Sequence, residues 1–278
     1  MYKEIIERAK AAAERANAPS PGDYYDGGLL YCGKCKTPKQ TRVELFGAME
    51  TVGCMCRCDS DRQRLEDENR RQRERDARII ALRGESFPDK AMTGWTFDAD
   101  DGTNVKVSTA ARKYAERFDY FRERGTGLLL YGSVGSGKTF IASCIANALI
   151  DKGIPCLVTN FSRINNAMSG IYSGKQEYLD DLHRYELLVL DDLAAERDTP
   201  YMLETVHNVI DARYRAKLPL IVTTNLTPEE LKHPADLRHQ RIYSRLFEMC
   251  HPLEISGNDR RKQKLRESFK ETSEVLGL

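Results

Sequence analysis

The chain has 278 residues, with 43 Lys and Arg against 42 Asp and Glu, for a formal charge of +1. That length accommodates one full core plus a smaller module. The balanced charge excludes nucleic-acid binding through a global positive excess, so any such contact has to come from local patches. No apolar run approaches the roughly 18 residues of a membrane-spanning helix. The opening stretch MYKEIIERAKAAAERANA is a charged, Ala-rich helical pattern without the apolar centre of a signal peptide. The expectation is a cytosolic protein without membrane contact, whose eight cysteines stay reduced.

Five of those cysteines cluster. YCGKCKTPKQ supplies Cys32 and Cys35 as a C-x2-C pair, and GCMCRCDS supplies Cys54, Cys56 and Cys58 as C-x-C-x-C. Two short Cys clusters joined by a hairpin offer four thiolates to a tetrahedral Zn2+. TRVELFGAMETV, with its β-branched residues and central glycine, predicts that hairpin. Only four of the five can hold one ion. Cys32, Cys35, Cys56 and Cys58 are the preferred set, since the chain turns helical just after Cys58, and Cys54 is the competing ligand. No His or carboxylate nearby suggests an open fourth position, so the reading is a structural zinc. Cys144, Cys156 and Cys250 fall in predicted core elements and read as small buried residues.

DSDRQRLEDENRRQRERDARIIALRG follows, with charges of both signs and few apolar residues before Ile79. The pattern predicts a solvated helical spacer held by i,i+4 pairs such as Glu68 with Gln72 and Glu74 with Arg78, ended by Gly84 and Pro88. Its Arg-rich face is a candidate surface for DNA or a protein partner. The predicted division is an N-terminal helix and zinc module over 1–58, a charged linker over 59–88, and a nucleotide-binding domain over 89–278.

The second half alternates helix and strand patterns. Helical spacing covers 108–121, 138–153, 162–170, 201–216 and 236–249; short apolar strands cover 127–132, 155–160, 185–193, 218–225 and 251–255. Repeated βα units with continuous apolar strands imply an α/β fold, a parallel five-stranded sheet between helices, with ligands at the C-terminal strand ends.

The chemistry sits at those ends. LLLYGSVGSGKTF fits G-x-x-x-x-G-K-[ST], the P-loop of an NTPase, with Gly132 and Gly137 as the fixed glycines. Backbone N–H groups across Gly132, Ser133, Val134, Gly135, Ser136 and Gly137 can converge on one phosphate anion. Lys138 reaches the β- and γ-phosphates of ATP, Thr139 offers its oxygen to Mg2+, and the following helix turns its positive end toward the phosphates. LLVLDDLAAE delivers Asp191, which can hold Mg2+ through water, and Asp192, which can orient or deprotonate the attacking water. IVTTN ends a buried strand in Asn225, able to hold water or the γ-phosphate, or simply to form a turn ahead of Thr227 and Pro228.

The run from GLLLYGSVGSGKTF through LLVLDDLAAE and VTTN to RIYSRLFE resembles the AAA+ ATPases of the DnaC/DnaI helicase-loader group, which includes the IstB transposition ATPases. The likeness covers about residues 90–265. The N-terminal cysteine module favours the DnaI-like loaders over IstB. The resemblance implies a protein that binds a hexameric replicative helicase, places it on single-stranded DNA, and uses ATP as a switch. It also implies self-association through the ATP site, since Arg245 matches the arginine finger that reaches a neighbour's γ-phosphate, with Arg241 one turn earlier. Arg260 falls at the sensor-2 arginine, although Arg261 adjoins it and Asp259 replaces the usual aromatic. Asp192 stands where the wider pattern has glutamate, one methylene longer, which suits slow hydrolysis. A transposition ATPase, or a zinc-dependent binding module with a structural nucleotide site, are the competing readings.

Overall fold

The computed structural model describes residues 18–45, 47–169, 175–194, 199–234, 236–257, 259, 269 and 272–276. The helical pattern expected before residue 18 lies outside them. The chain divides into two compact units, Met1–Asp76 and Ala77–Leu278, and helix α1, Arg57–Ser86, contributes residues to both.

The first unit is built from two antiparallel hairpins. Strands β1, Tyr24–Asp26, and β2, Leu29–Tyr31, pair across Gly27 and Gly28, a turn the D-G-G sequence could have announced. Strands β3, Gln40–Leu45, and β4, Ala48–Gly53, form the expected hairpin, with Val43 opposite Glu50. Asp23 accepts from Lys39 Nζ at 2.6 Å and from the Gly33 N–H at 3.0 Å, and these donors hold its carboxyl down at about 2. The buried apolar residues described in this unit are Leu30, Cys32 and Cys56. So few buried side chains are a small core for a fold of this size.

Helix α1 forms as the charge pattern predicts, but with other partners. Gln72 donates to Asp76 at 2.8 Å and Arg70 pairs with Asp67 at 2.8 Å and with Glu74 at 4.0 Å; neither expected pair forms, as Gln72 and Glu74 each meet a different partner one turn away. The helix also runs through Gly84 to Ser86 rather than ending there, since one internal glycine costs only ~1 kcal/mol.

In the second unit, strands β5, Gly127–Tyr131, β6, Cys156–Thr159, β7, Leu187–Leu193, β8, Leu220–Thr224, and β9, Cys250–Glu254, form one parallel sheet in the order β6-β7-β8-β5-β9. This is the five-stranded parallel sheet the sequence predicts. Alternation along each strand feeds two cores. Leu128, Leu130, Leu187, Val189 and Ile221 pack on one face, while Leu129, Leu188, Leu190, Leu220 and Val222 pack on the other. The first face is covered by α2, Val105–Glu116, α3, Phe118–Arg124, and α4, Lys138–Ile150. The expected single helix over 108–121 is broken at Arg117, which caps one helix and starts the next. The second face is covered by α5, Phe161–Ser169, α6, Lys175–Asp181, α7, Pro200–Ala216, and α9, Leu237–Met249; the short α8, Pro228–Lys232, is closed by a Thr227/Glu230 capping box.

Two close approaches bring the strands into contact. At Gly127 an added Cβ would come within 1.8 Å of the Leu220 carbonyl, so β5 and β8 meet only because that side chain is absent. Arg213, 1 % exposed, points inward from α7 and donates to the carbonyls of Tyr185 at 2.7 Å, Pro219 at 2.6 Å, Glu186 at 3.1 Å and Leu182 at 3.4 Å. It ties the segments entering β7 and β8 to one helix. Nothing in the sequence reading singled it out.

Candidate functional site

Strand β5 ends in the glycine-rich loop. Gly132 adopts φ 149°, with the Ile255 carbonyl 2.2 Å from where a Cβ would stand, and Gly137 adopts φ 101° at the start of α4. Both conformations suit glycine alone. The Ile255 N–H donates to Tyr131 O at 2.8 Å, Asn104 Nδ2 donates to Ser256 O at 2.9 Å, and Ser133 Oγ to Gly257 O at 3.4 Å. The chain leaving β9 therefore crosses the loop on its way to the predicted sensor arginine. Arg260 itself, like Arg261, lies outside the described residues.

Lys138 is buried, and its ammonium donates to Gly132 O at 2.9 Å, Ser133 O at 2.8 Å and Asn225 Oδ1 at 2.8 Å. Asn225, at the end of β8, donates in turn from Nδ2 to Asp192 Oδ1 at 3.2 Å. Thr139 Oγ1 donates to Asp191 Oδ1 at 2.8 Å, and Thr223 Oγ1 donates to the same oxygen at 2.7 Å. Residues from the start of α4, the end of β7 and the end of β8 thus converge. Thr223 belongs to this network and was missed by sequence reasoning, although it immediately precedes Thr224 and Asn225 in the motif itself.

The two aspartates diverge because the backbone bulges between them. The register of β7 against β8 shifts between Leu190 and Leu193, and Asp192 sits at φ 64° with its N–H donating to Thr223 Oγ1 at 2.8 Å. A short polar side chain tolerates that left-handed conformation. Asp191 faces Thr139; Asp192 faces Asn225. Burial pushes the Asp191 carboxyl above the usual range, against the lowering effect of the two threonine hydroxyls. Such a carboxylate is poised for a cation. Ser136 Oγ is buried with no hydrogen-bond partner among the described residues, so the loop retains an unused polar atom where an anion would lie. These residues fit ATP with Mg2+.

Arg245 lies on α9, with Arg241 one turn before it on the exposed side. Its guanidinium is engaged within its own chain, with Nη1 2.7 Å from Asp211 Oδ1 and 2.8 Å from His207 Nε2.

In the first unit, the Sγ atoms of Cys32, Cys35, Cys56 and Cys58 lie within 4.8 Å of one another. Cys54 Sγ is directed instead at the Pro38 carbonyl, 3.5 Å away. The Thr37 hydroxyl beside Cys35 draws its thiol down to about 5, and burial pushes Cys56 up to about 12. The Asp59 carboxylate accepts from Cys56 Sγ at 3.1 Å, but four sulfurs already converge, and that set fits a structural Zn2+. The three scattered cysteines, Cys144, Cys156 and Cys250, are buried as expected.

A phosphate loop opening a helix, a carboxylate on its threonine and a polar side chain from the next strand define a P-loop nucleotide-binding protein. The chain belongs to the IstB-like ATP binding protein family, which matches residues 61–268. It is 28% identical over 150 residues to the replicative helicase loader DnaI of Bacillus subtilis, covering 50% of this chain and 48% of that protein. It is 27% identical over 146 residues to the replicative helicase loader DnaC of Escherichia coli K12, covering 51% and 57%. The match spans about half the length of these curated relatives. The crystal structure of DnaI superposes with a TM-score of 0.52 at 26% identity, over 63% of this chain and 95% of that one. That of the DnaC helicase loader gives 0.52 at 28%, over 60% and 100%. Among the described residues, no helix is long and apolar enough to cross a membrane.

Proposed function

We propose that this protein is an ATP-dependent loader of a replicative DNA helicase, acting on single-stranded DNA in the cytoplasm during replication initiation. The observation that carries the nucleotide chemistry is the pair of connected contacts Lys138–Asn225–Asp192 and Thr139–Asp191–Thr223. The relatives named as helicase loaders support the biological role. The functional division is a zinc module over 1–58, a charged linker over 59–88 and an AAA+ domain over 89–278.

Each side chain has a defined task. The backbone from Gly132 to Gly137 cradles the phosphates, and Lys138 exchanges its internal carbonyl partners for phosphate oxygens. Thr139 and Asp191 would hold Mg2+, which when bound would supply positive charge to the phosphoryl oxygens. Asp192 orients and accepts a proton from the attacking water, and Asn225 fixes that water against the γ-phosphate. Asp192 is short and already engaged by Asn225, which suits slow, switch-like turnover. Arg245 acts on the nucleotide of a neighbouring subunit, and Arg260 serves as the sensor-2 arginine. The four cysteines hold Zn2+, which fixes two hairpins too small to hold their own core and presents the module to the helicase.

Retention of the resident replicative helicase on the immobilised full-length protein, with and without ATP, tests the reading. Retention that changes with ATP is expected. Retention of a transposase and no helicase would return the transposition ATPase as the answer.

A further inference from the structure

Helix α7 presents His207, Asp211 and Tyr214 at i, i+4 and i+7, one face of a helix, toward α9. Both polar contacts to Arg245 from that face fall on a single nitrogen. Nη1 meets Asp211 Oδ1 at 2.7 Å and His207 Nε2 at 2.8 Å, and the Tyr214 ring centre lies 5.9 Å from the guanidinium carbon. We infer that Asp211 and His207 are positioning residues for Arg245, gripping one edge of the guanidinium so that the other is aimed outward. The inference rests on Arg245 being the trans-acting finger proposed above.

The geometry of the fork supports it. A guanidinium carries five N–H donors in one plane, and its Nε and Nη2 hydrogens form a side-on pair matched to two oxygens of a phosphate. With Nη1 held by the His207 hydrogen bond and the Asp211 ion pair, that side-on pair remains, and no hydrogen bond from a described residue engages it. Burial runs the same way: the Asp211 side chain is 11 % exposed while that of Arg245 is 30 % exposed. The carboxylate is fixed between the helices, and the guanidinium stands at their surface. Asp211 is itself held, since its Oδ2 pairs with Arg215. The arrangement keeps a long, otherwise mobile side chain from having to be ordered at the moment of reaction.

His207 adds a condition. Arginine has no acceptor, so Nε2 must accept, and the ring must be neutral with its proton on Nδ1, which lies 3.5 Å from Asn208 Oδ1. Protonation turns that acceptor into a donor facing a cation. The titratable and charged groups on these two helices near the imidazole include Glu204, Asp211, Tyr214 and Arg215 on α7, and Arg241, Arg245 and Glu248 on α9, with Tyr214 donating to Glu248 Oε2 at 2.6 Å. A protonated His207 would therefore loosen the grip on Arg245.

The test compares full-length Arg245→Ala, Asp211→Asn, His207→Ala and His207→Gln for ATP affinity, using a fluorescent ATP analogue, and for turnover across pH. Asp211→Asn and His207→Ala should each lower kcat about tenfold with affinity unchanged. Glutamine, whose amide oxygen accepts at all pH values, should recover most of the loss in His207→Ala and flatten the acid limb of the profile. If Arg245→Ala is inactive while Asp211→Asn and His207→Ala turn over at the parent rate, the positioning role is overturned and the finger stands. If Arg245→Ala keeps full turnover, the finger reading itself fails and the inference goes with it. Should Asp211→Asn not fold, the histidine pair and its pH profile decide alone.

Discussion

Lys138 Nζ donates a 2.8 Å hydrogen bond to Asn225 Oδ1 across 87 positions of sequence. The lysine opens the helix after β5 and the asparagine ends β8, and these strands are neighbours in the sheet. The contact gives the lysine a defined place before any phosphate arrives. It also ties the glycine-rich loop to the end of β8, where Asn225 is proposed to meet the γ-phosphate.

Lys138→Ala should abolish ATP binding and turnover while leaving the fold intact, because the ammonium is the loop's cationic contact, although its three internal acceptors lose their donor. Circular dichroism should match the parent, with a lowered melting temperature. A variant that still hydrolyses ATP at the parent rate would remove the phosphate cradle from this account.

Asp191→Asn should separate stability from function through pH. The folded carboxyl is raised above its unfolded value by burial, so its contribution to stability is fully present below the unfolded pKa and is lost as pH rises through the folded one. At neutral pH the uncharged variant should therefore melt higher than the parent in the absence of nucleotide and Mg2+, with the gap closing in acid. Its Mg2+-dependent turnover should be lost. Equal melting temperatures at every pH would mean that the buried charge carries no cost.

Elemental analysis should find one Zn2+ per chain. Cys56→Ser should lose the metal and Cys54→Ser should keep it, since only Cys56 converges with Cys32, Cys35 and Cys58. Chelation should unfold residues 25–60 first, because a module with so few buried side chains would draw its folding free energy from the proposed metal. Zinc retained by Cys56→Ser and lost by Cys54→Ser would reverse the ligand choice.

Arg213→Met should destabilise the second unit by about 3 kcal/mol or more, because four backbone carbonyls lose their donor in the interior. Urea unfolding followed through that unit measures the loss. A change under about 0.5 kcal/mol would mean that water replaces the guanidinium.

Mixing Arg245→Ala with Lys138→Ala should restore part of the turnover that each lacks, since some interfaces then join an intact finger to an intact cradle. Each missing group alone should be costly: a finger in trans contributes ~10³-fold or more in other NTPases. A mixture that co-assembles but stays inactive excludes a shared site.

The sequence by itself determined the parallel sheet, the phosphate loop and the cysteine clip. Each is written in local spacing: short apolar strands alternating with helices, glycines at fixed distance from Lys138, and cysteine pairs flanking a hairpin. What it left open concerned contacts between segments far apart in the chain. The choice of Cys56 over Cys54 depended on where the hairpins turn each sulfur. Thr223 became part of the site because a bulge in β7 brought Asp191 beside it. Arg213 became a buried tie, and Arg245 gained Asp211 and His207, because packed helices bring together residues with no periodic relation in sequence. Periodicity records which face of an element is buried; it carries no information about which polar group meets that face, which only the tertiary packing decides.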